Sequence, residues 1–268
     1  MPHFLFMFAP LFIVYASVFG ASPFVFYPPL RFPIVPILHQ INLLTFPERV
    51  VSFVTLMKLP LIMSDLLLTY ALYKRKPVLA LYYSLFVYPI LVTYVLGFHD
   101  ILAAVFLFLS FLSLNFPLLS GAFFALSTFK LIPLVVLPFL IVLFLKYKRF
   151  SSFAEFCAGA MLVLLPSLVY IHASWEDFNL SVMGLQANRL AGGITPYNVV
   201  WNIRDFEVAA FFSKLFNVIF IATYAISLII AITNKLDPEF YFIIPLLTFL
   251  LFNKVVNEQY YMLLLPFL

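Results

Sequence analysis

Long, continuous apolar runs separated by short polar punctuation make up most of this chain. Runs of about 15–25 apolar residues predict helices at bilayer length, whereas a membrane barrel strand would alternate apolar and polar positions. Taken in order, the pattern predicts a first helix over His3–Phe19 and a proline-rich stretch over Gly20–Pro47 with a short helix or re-entrant piece around Ile34–Leu44. A span over Val50–Tyr73 follows, interrupted by Lys58 and Pro60 and carrying Asp65. Then come Val78–Leu96, Ile101–Leu114, Leu118–Phe129, Pro133–Leu145, Ser151–Ile171, Val208–Thr233 and Phe240–Phe252, with Tyr261–Leu268 starting to re-enter. The expected fold class is all-α: a polytopic transmembrane helical bundle of short, proline-broken helices with an external loop, forming one integral membrane domain over residues 1–268.

Composition agrees with the pattern. The 268 residues are 65% hydrophobic and 10% charged, with a mean hydropathy of +1.11, where soluble domains carry about 25% charge. Such a chain cannot cover a water-facing surface with polar groups. The formal charge of +4 is a small basic excess with no stripe of basic residues, so it predicts cytoplasmic loops and no nucleic-acid partner. The single cysteine, Cys157, excludes an internal disulfide and reads as a small buried hydrophobe. His3–Phe19 lacks the positive flank of a cleaved signal, which favours a retained helix.

Charge sets the topology. Lys74-Arg75-Lys76, Lys146-Tyr147-Lys148-Arg149 and Asn234-Lys235 should lie on the inner side. Tyr27-Pro28-Pro29, His99-Asp100, Lys130, the polar loop His172–Glu207 and Lys254–Tyr260 should then gather on the outer side. If both His3–Phe19 and Ile34–Leu44 span, the parity at Lys74 demands an external amino terminus. The expectation is therefore that Ile34–Leu44 does not span fully, or that Lys58-Leu59-Pro60 marks a break.

The most demanding stretch is Ser120–Pro138, SGAFFALSTFKLIPLVVLP, with Lys130 in its middle. A lysine in hydrocarbon costs roughly 2.5–3.5 kcal/mol on insertion scales, so it either snorkels to an interface or faces a cavity and holds an anion. Asp100 is either a helix N-cap or a cavity-facing carboxylate. Arg189, just before Gly192-Gly193, could present guanidinium and backbone amides to an anion, and Tyr197 and Trp201 either stack on a sugar or mark an aromatic belt. On a helix, Lys254, Asn257, Glu258 and Tyr261 would share one face; the plainer alternative is a short loop with a Lys–Glu pair. The four histidines are scattered, so no metal site is expected, and there is no phosphate-binding glycine loop or nucleophile elbow.

Five segments then occur in a telling order: FYPPL (Phe26–Leu30), GFHDILAA (Gly97–Ala104), SGAFFALSTFKLIPLVVLP, QANRLAGGITPYNVV (Gln186–Val200) and FNKVVNEQYYMLLLPFL (Phe252–Leu268). Together they resemble the polytopic GT-C glycosyltransferases that take a sugar from a polyprenyl phosphate. The likeness is to the catalytic subunit of glycosylphosphatidylinositol mannosyltransferase I and to bacterial and archaeal polyprenyl-phosphomannose-dependent mannosyltransferases. The resemblance implies an inverting transfer of a hexose, with mannose favoured, from a dolichyl or polyprenyl phosphate to a lipid or glycan acceptor on the outer face, without cofactor or obligatory metal. It implies a multi-pass protein of the plasma membrane in a prokaryote or the endoplasmic reticulum in a eukaryote, with membrane lipids and a partner subunit as further partners. Asp100 matches an acidic position in the family's Phe-x-Asp segment, and it becomes the candidate catalytic carboxylate. Lys130, Arg189, Tyr27, Lys254, Asn257, Glu258, Gln259 and Tyr260 become the candidates for the donor phosphate and substrate.

One departure counts against full identity with the family. GT-C relatives keep a catalytic acid between the first helix and Tyr-Pro-Pro, and Phe19–Phe26 here holds no Asp or Glu. Leu268 also stops inside an apolar run, so a chain truncated at one or both ends, a mis-started reading frame and an inactive relative stay open. A catalytically degenerate GT-C-like subunit, or a transporter or lipid-binding membrane protein, are the competing readings. A transporter would favour inverted repeats, and no convincing internal repeat is present.

Overall fold

The computed structural model describes residues 46–90, 100–147, 150–173, 175, 179, 192–193, 206–253, 255–256 and 258–268. The expected elements at His3–Phe19 and Ile34–Leu44 lie outside these residues, as do Tyr27, Arg189, Lys254 and Asn257. The described residues are helical almost throughout. The helices are α1 (Phe46–Arg75), α2 (Pro77–Leu85), α3 (Val87–Ile90), α4 (Asp100–Leu112), α5 (Pro117–Ser127), α6 (Leu137–Tyr147), α7 (Phe150–Ala173), α8 (Phe206–Thr233) and α9 (Phe240–Phe252). Tight 3-10 turns cover Thr128–Lys130, Ile132–Val136, Glu258–Leu263 and Leu265–Phe267, and β1 (Gly192–Gly193) pairs in parallel with β2 (Val255–Val256).

Prolines sort the helices into whole and broken ones. α1 runs unbroken for 30 residues, about 45 Å, so the interruption expected at Lys58-Leu59-Pro60 does not occur. The span expected over Val78–Leu96 is broken. Pro89 has no amide hydrogen to offer the carbonyl of residue 85, α2 stops there, and Phe86 turns extended (φ −75°, ψ 122°). Pro117 opens α5 at a first-turn position, where the missing donor costs nothing.

α4 and α5 form an antiparallel hairpin around residues 113–116. About one turn from the connection, Ser120 Oγ donates to the Ser110 carbonyl at 2.8 Å, with the two hydroxyls 3.2 Å apart. Burying these hydroxyls without partners would cost more than the bonds themselves return. α5 also packs tightly on α7. A Cβ added at Gly121 would lie 1.9 Å from the Phe156 carbonyl oxygen, and one at Gly159 the same distance from that of Leu118. The backbones touch there because both side chains are hydrogen, the means by which helices approach closely where hydrophobic burial alone does not drive them together.

The core lies between α4, α6, α9 and the carboxy-terminal turns. Phe108, Phe139, Phe144, Tyr241 and Phe242 are fully buried. Phe267 meets Phe108 at 5.5 Å, Phe111 at 5.6 Å and Phe242 at 5.3 Å, while Tyr260 meets Phe249 at 6.3 Å. These pairings make the carboxy-terminal turns run back along α9, and such ring pairs add about 0.5–1.5 kcal/mol each beyond area burial.

The outer faces are apolar. Ala210–Thr233 in α8 is long and apolar enough to cross a membrane, and only 11% of its most apolar window is buried. Val218, Ile221, Ile226 and Ile229 stand exposed on it, as do Val78, Leu81 and Leu85 on α2. Contiguous exposed apolar surface of this kind is rare on soluble monomers.

Candidate functional site

The three basic segments assigned to the inner side meet at one end of the bundle. Glu239, at the start of α9, forms an ion pair with Arg75 and lies 3.8 Å from Lys76. The Arg75 guanidinium also stacks 4.4 Å from the Phe111 ring centre, and its burial pushes its pKa below the ordinary arginine value. Lys146 donates to the carbonyls of Ala231 (3.0 Å) and Asn234 (2.8 Å), placing a cation on the negative end of α8.

The opposite end holds the acid and the lysine singled out in the sequence. Asp100 opens α4, and Lys130 follows α5, so the hairpin brings residues thirty apart together. Lys130 Nζ donates to Asp100 Oδ2 at 2.6 Å. The environments of the two differ: the Asp100 side chain is 0% exposed and that of Lys130 is 25% exposed. Asp100 Oδ1 is buried and has no hydrogen-bond partner among the described residues. Among the described residues the one Asp100 oxygen that is used accepts from the lysine and not from a backbone amide of α4.

The backbone beside Lys130 is strained. Leu131 has φ 35° and ψ −27°, and among the described residues it is the one non-glycine residue with positive φ. Leucine in this region costs about 1–2 kcal/mol, since Cβ crowds the following carbonyl. Its amide bonds the Thr128 carbonyl at 2.9 Å, and its own carbonyl accepts from Leu134, so the chain switches between two tight turns there. Tyr224 of α8 holds the second turn by donating to the Val135 carbonyl at 2.5 Å.

The β1–β2 pair joins two of the five segments quoted above, with Gly192 opposite Val255 and Gly193 opposite Val256. For the stretch holding Glu258 and Tyr261, the sequence left open a shared helical face or a short loop. Val255–Val256 is extended and Glu258–Leu263 is a 3-10 turn, so among the described residues no α-helix runs through this stretch. β-branched valines favour the extended form, and pairing with the glycines supplies its backbone bonds. Gln259 and Tyr260 are half-buried beyond it. Among the described residues no group of three or more His, Cys, Asp or Glu could hold a metal.

Sequence reasoning missed the Asp65–Tyr83 contact, in which the tyrosine hydroxyl donates at 2.7 Å to a carboxylate buried on α1. A carboxylate inside an apolar run was the available signal; its partner, on another helix, had none. The Leu131 strain also had no signal, since nothing in Phe-Lys-Leu-Ile-Pro announces a positive φ. Compared with known proteins, the chain finds no matching family model, no matching curated sequence and no matching solved structure.

Proposed function

We propose that this chain is a multi-pass membrane glycosyltransferase that moves a hexose, mannose favoured, from a polyprenyl phosphate to a lipid or glycan acceptor, with inversion. The observation that carries the reading is the Asp100–Lys130 pair: a buried carboxylate with an unused oxygen, against a partly exposed ammonium. Transfer of this kind needs those two groups. The acceptor hydroxyl attacks the anomeric carbon and gives its proton to a carboxylate. The bond from that carbon to the phosphate oxygen breaks, and a cation holds the charge that develops on the leaving phosphate. Asp100 suits the first task and Lys130 the second.

Support for the multi-pass membrane reading comes from the exposed apolar faces of α2 and α8 and from the segregation of charge. Lys76, Arg75 and Lys146 share one end of the bundle, as the positive-inside rule expects, while Asp100 and Lys130 share the other. A second reading, a catalytically degenerate subunit of the same fold, draws on two observations: the full burial of Asp100 behind Lys130, and the absence of any acid in residues 19–26.

Radiolabelled polyprenyl-phosphate mannose, supplied to the reconstituted chain, separates the readings. The expected outcome is label in a lipid or glycan product, lost in Asp100→Asn and in Lys130→Ala. Donor binding without transfer selects the degenerate subunit, and neither binding nor transfer rejects both.

A further inference from the structure

We propose that the Asp100–Lys130 pair is a closed latch, which a phosphate opens by drawing the Lys130 ammonium off Asp100, with Leu131 as the strained pivot. This inference rests on the glycosyltransferase reading and deepens it, because it names what the ligand must carry.

Three observations converge. The first is unused hydrogen-bonding capacity. A buried ion pair with a purely structural role is expected to satisfy both carboxylate oxygens, yet among the described residues Asp100 Oδ1 has no partner and Lys130 uses its ammonium for one bond of three. The second is asymmetry. Asp100 is 0% exposed on a helix start, while Lys130 is 25% exposed on a flexible stem, so the lysine is the member that can leave. The third is strain: Leu131, next to Lys130, holds a positive φ that a leucine adopts at a cost, with its side chain 44% exposed. A stretch held under strain against a buried charge is suited to taking up a second arrangement when a ligand binds.

The chemistry of the ligand follows. Removing Lys130 alone would leave a buried carboxylate without a partner, which is costly. The opening ligand must therefore offer an anion to the ammonium and a hydroxyl to the carboxylate. A phosphate carrying a neighbouring sugar meets both needs, and a bare lipid phosphate meets only the first.

Binding of a polyprenyl phosphate, with and without its sugar, to the reconstituted full chain in phosphatidylcholine nanodiscs tests the latch. The sugar-bearing donor should bind the wild type more tightly than the bare lipid phosphate. Asp100→Asn, which releases the lysine, should tighten the bare lipid phosphate by about tenfold or more, since a close charge pair outweighs the single factor of ten. Leu131→Gly relieves the strain of the closed form and should weaken binding about fivefold. Lys130→Met should abolish binding in every background. Inorganic phosphate, run alongside to separate a headgroup from free phosphate, should follow the same order of variants more weakly. Affinity unchanged in both Asp100→Asn and Leu131→Gly overturns the latch alone, leaving a structural ion pair in an otherwise viable transferase. Lipid phosphate that binds neither the wild type nor Asp100→Asn overturns the latch and the transferase reading together.

Discussion

The two ends of the bundle both hold ion pairs, and they differ in what the pairs accomplish. At the Glu239 end, Arg75 and Lys76 share one carboxylate, Arg75 stacks on Phe111, and Lys146 takes up the last carbonyls of α8. Those contacts tie α1, α6, α8 and α9, which are distant in sequence, and their side chains are 25–45% exposed for the Glu239 pairs. At the Asp100 end, one pair closes a single hairpin, one oxygen is left over, and a strained residue adjoins it. A clasp distributes its charge among several acceptors at the water's edge. The Asp100 pair instead keeps one carboxylate oxygen in reserve on a fully buried side chain, as the proposed site requires.

The comparison can be broken most severely at Lys130. Lys130→Met leaves the fully buried Asp100 without its partner, and a loss of about 3–5 kcal/mol is expected, read as a lowered midpoint of unfolding in detergent. Asp100→Asn should cost less, because the freed lysine is partly exposed and reaches solvent. Equal costs for the two would contradict the asymmetry between them.

Next in size is Gly121→Ala. The new methyl would meet the Phe156 carbonyl oxygen at 1.9 Å, so α5 must shift away from α7, at a cost of about 3 kcal/mol. Because α5 leads into Lys130, the further effect of Lys130→Met should shrink in this background, while that of Glu239→Gln should simply add. A double-mutant cycle on unfolding midpoints reads both.

The smallest change is expected at the opposite end. Glu239→Gln removes a partly exposed pair and should cost about 1 kcal/mol or less, falling further at high salt. A cost there as large as that of Lys130→Met would erase the distinction between clasp and site.

Much of the helix pattern was legible along the chain. Ile101–Leu114, Leu118–Phe129, Ser151–Ile171 and Phe240–Phe252 emerge within a few residues of α4, α5, α7 and α9, because apolar runs bounded by polar residues and prolines report directly on helix extent. At two places the structure decided what the pattern did not. Pro60 was read as a break, yet α1 continues through it, whereas Pro89 does end α2. The segment after Asn253 was left open between a helical face and a short loop, and pairing with a distant glycine pair drew its valines into an extended form. The second outcome depends on a neighbour remote in sequence.

Asp100 and Lys130 were also legible as candidates, since each is an ionisable residue set in apolar surroundings. Their union was not. Local pattern determined which residues are helical, which faces are apolar and where charge is too expensive to be idle, because each follows from side-chain chemistry and the helical repeat. The tertiary structure alone decided that the α4–α5 hairpin sets Asp100 against Lys130, that one carboxylate oxygen stays unused, and that Leu131 bears the strain. Those facts depend on how helices pack, through contacts such as Gly121 on α7 and Tyr224 on Val135, and no single stretch of sequence contains both partners of such a contact.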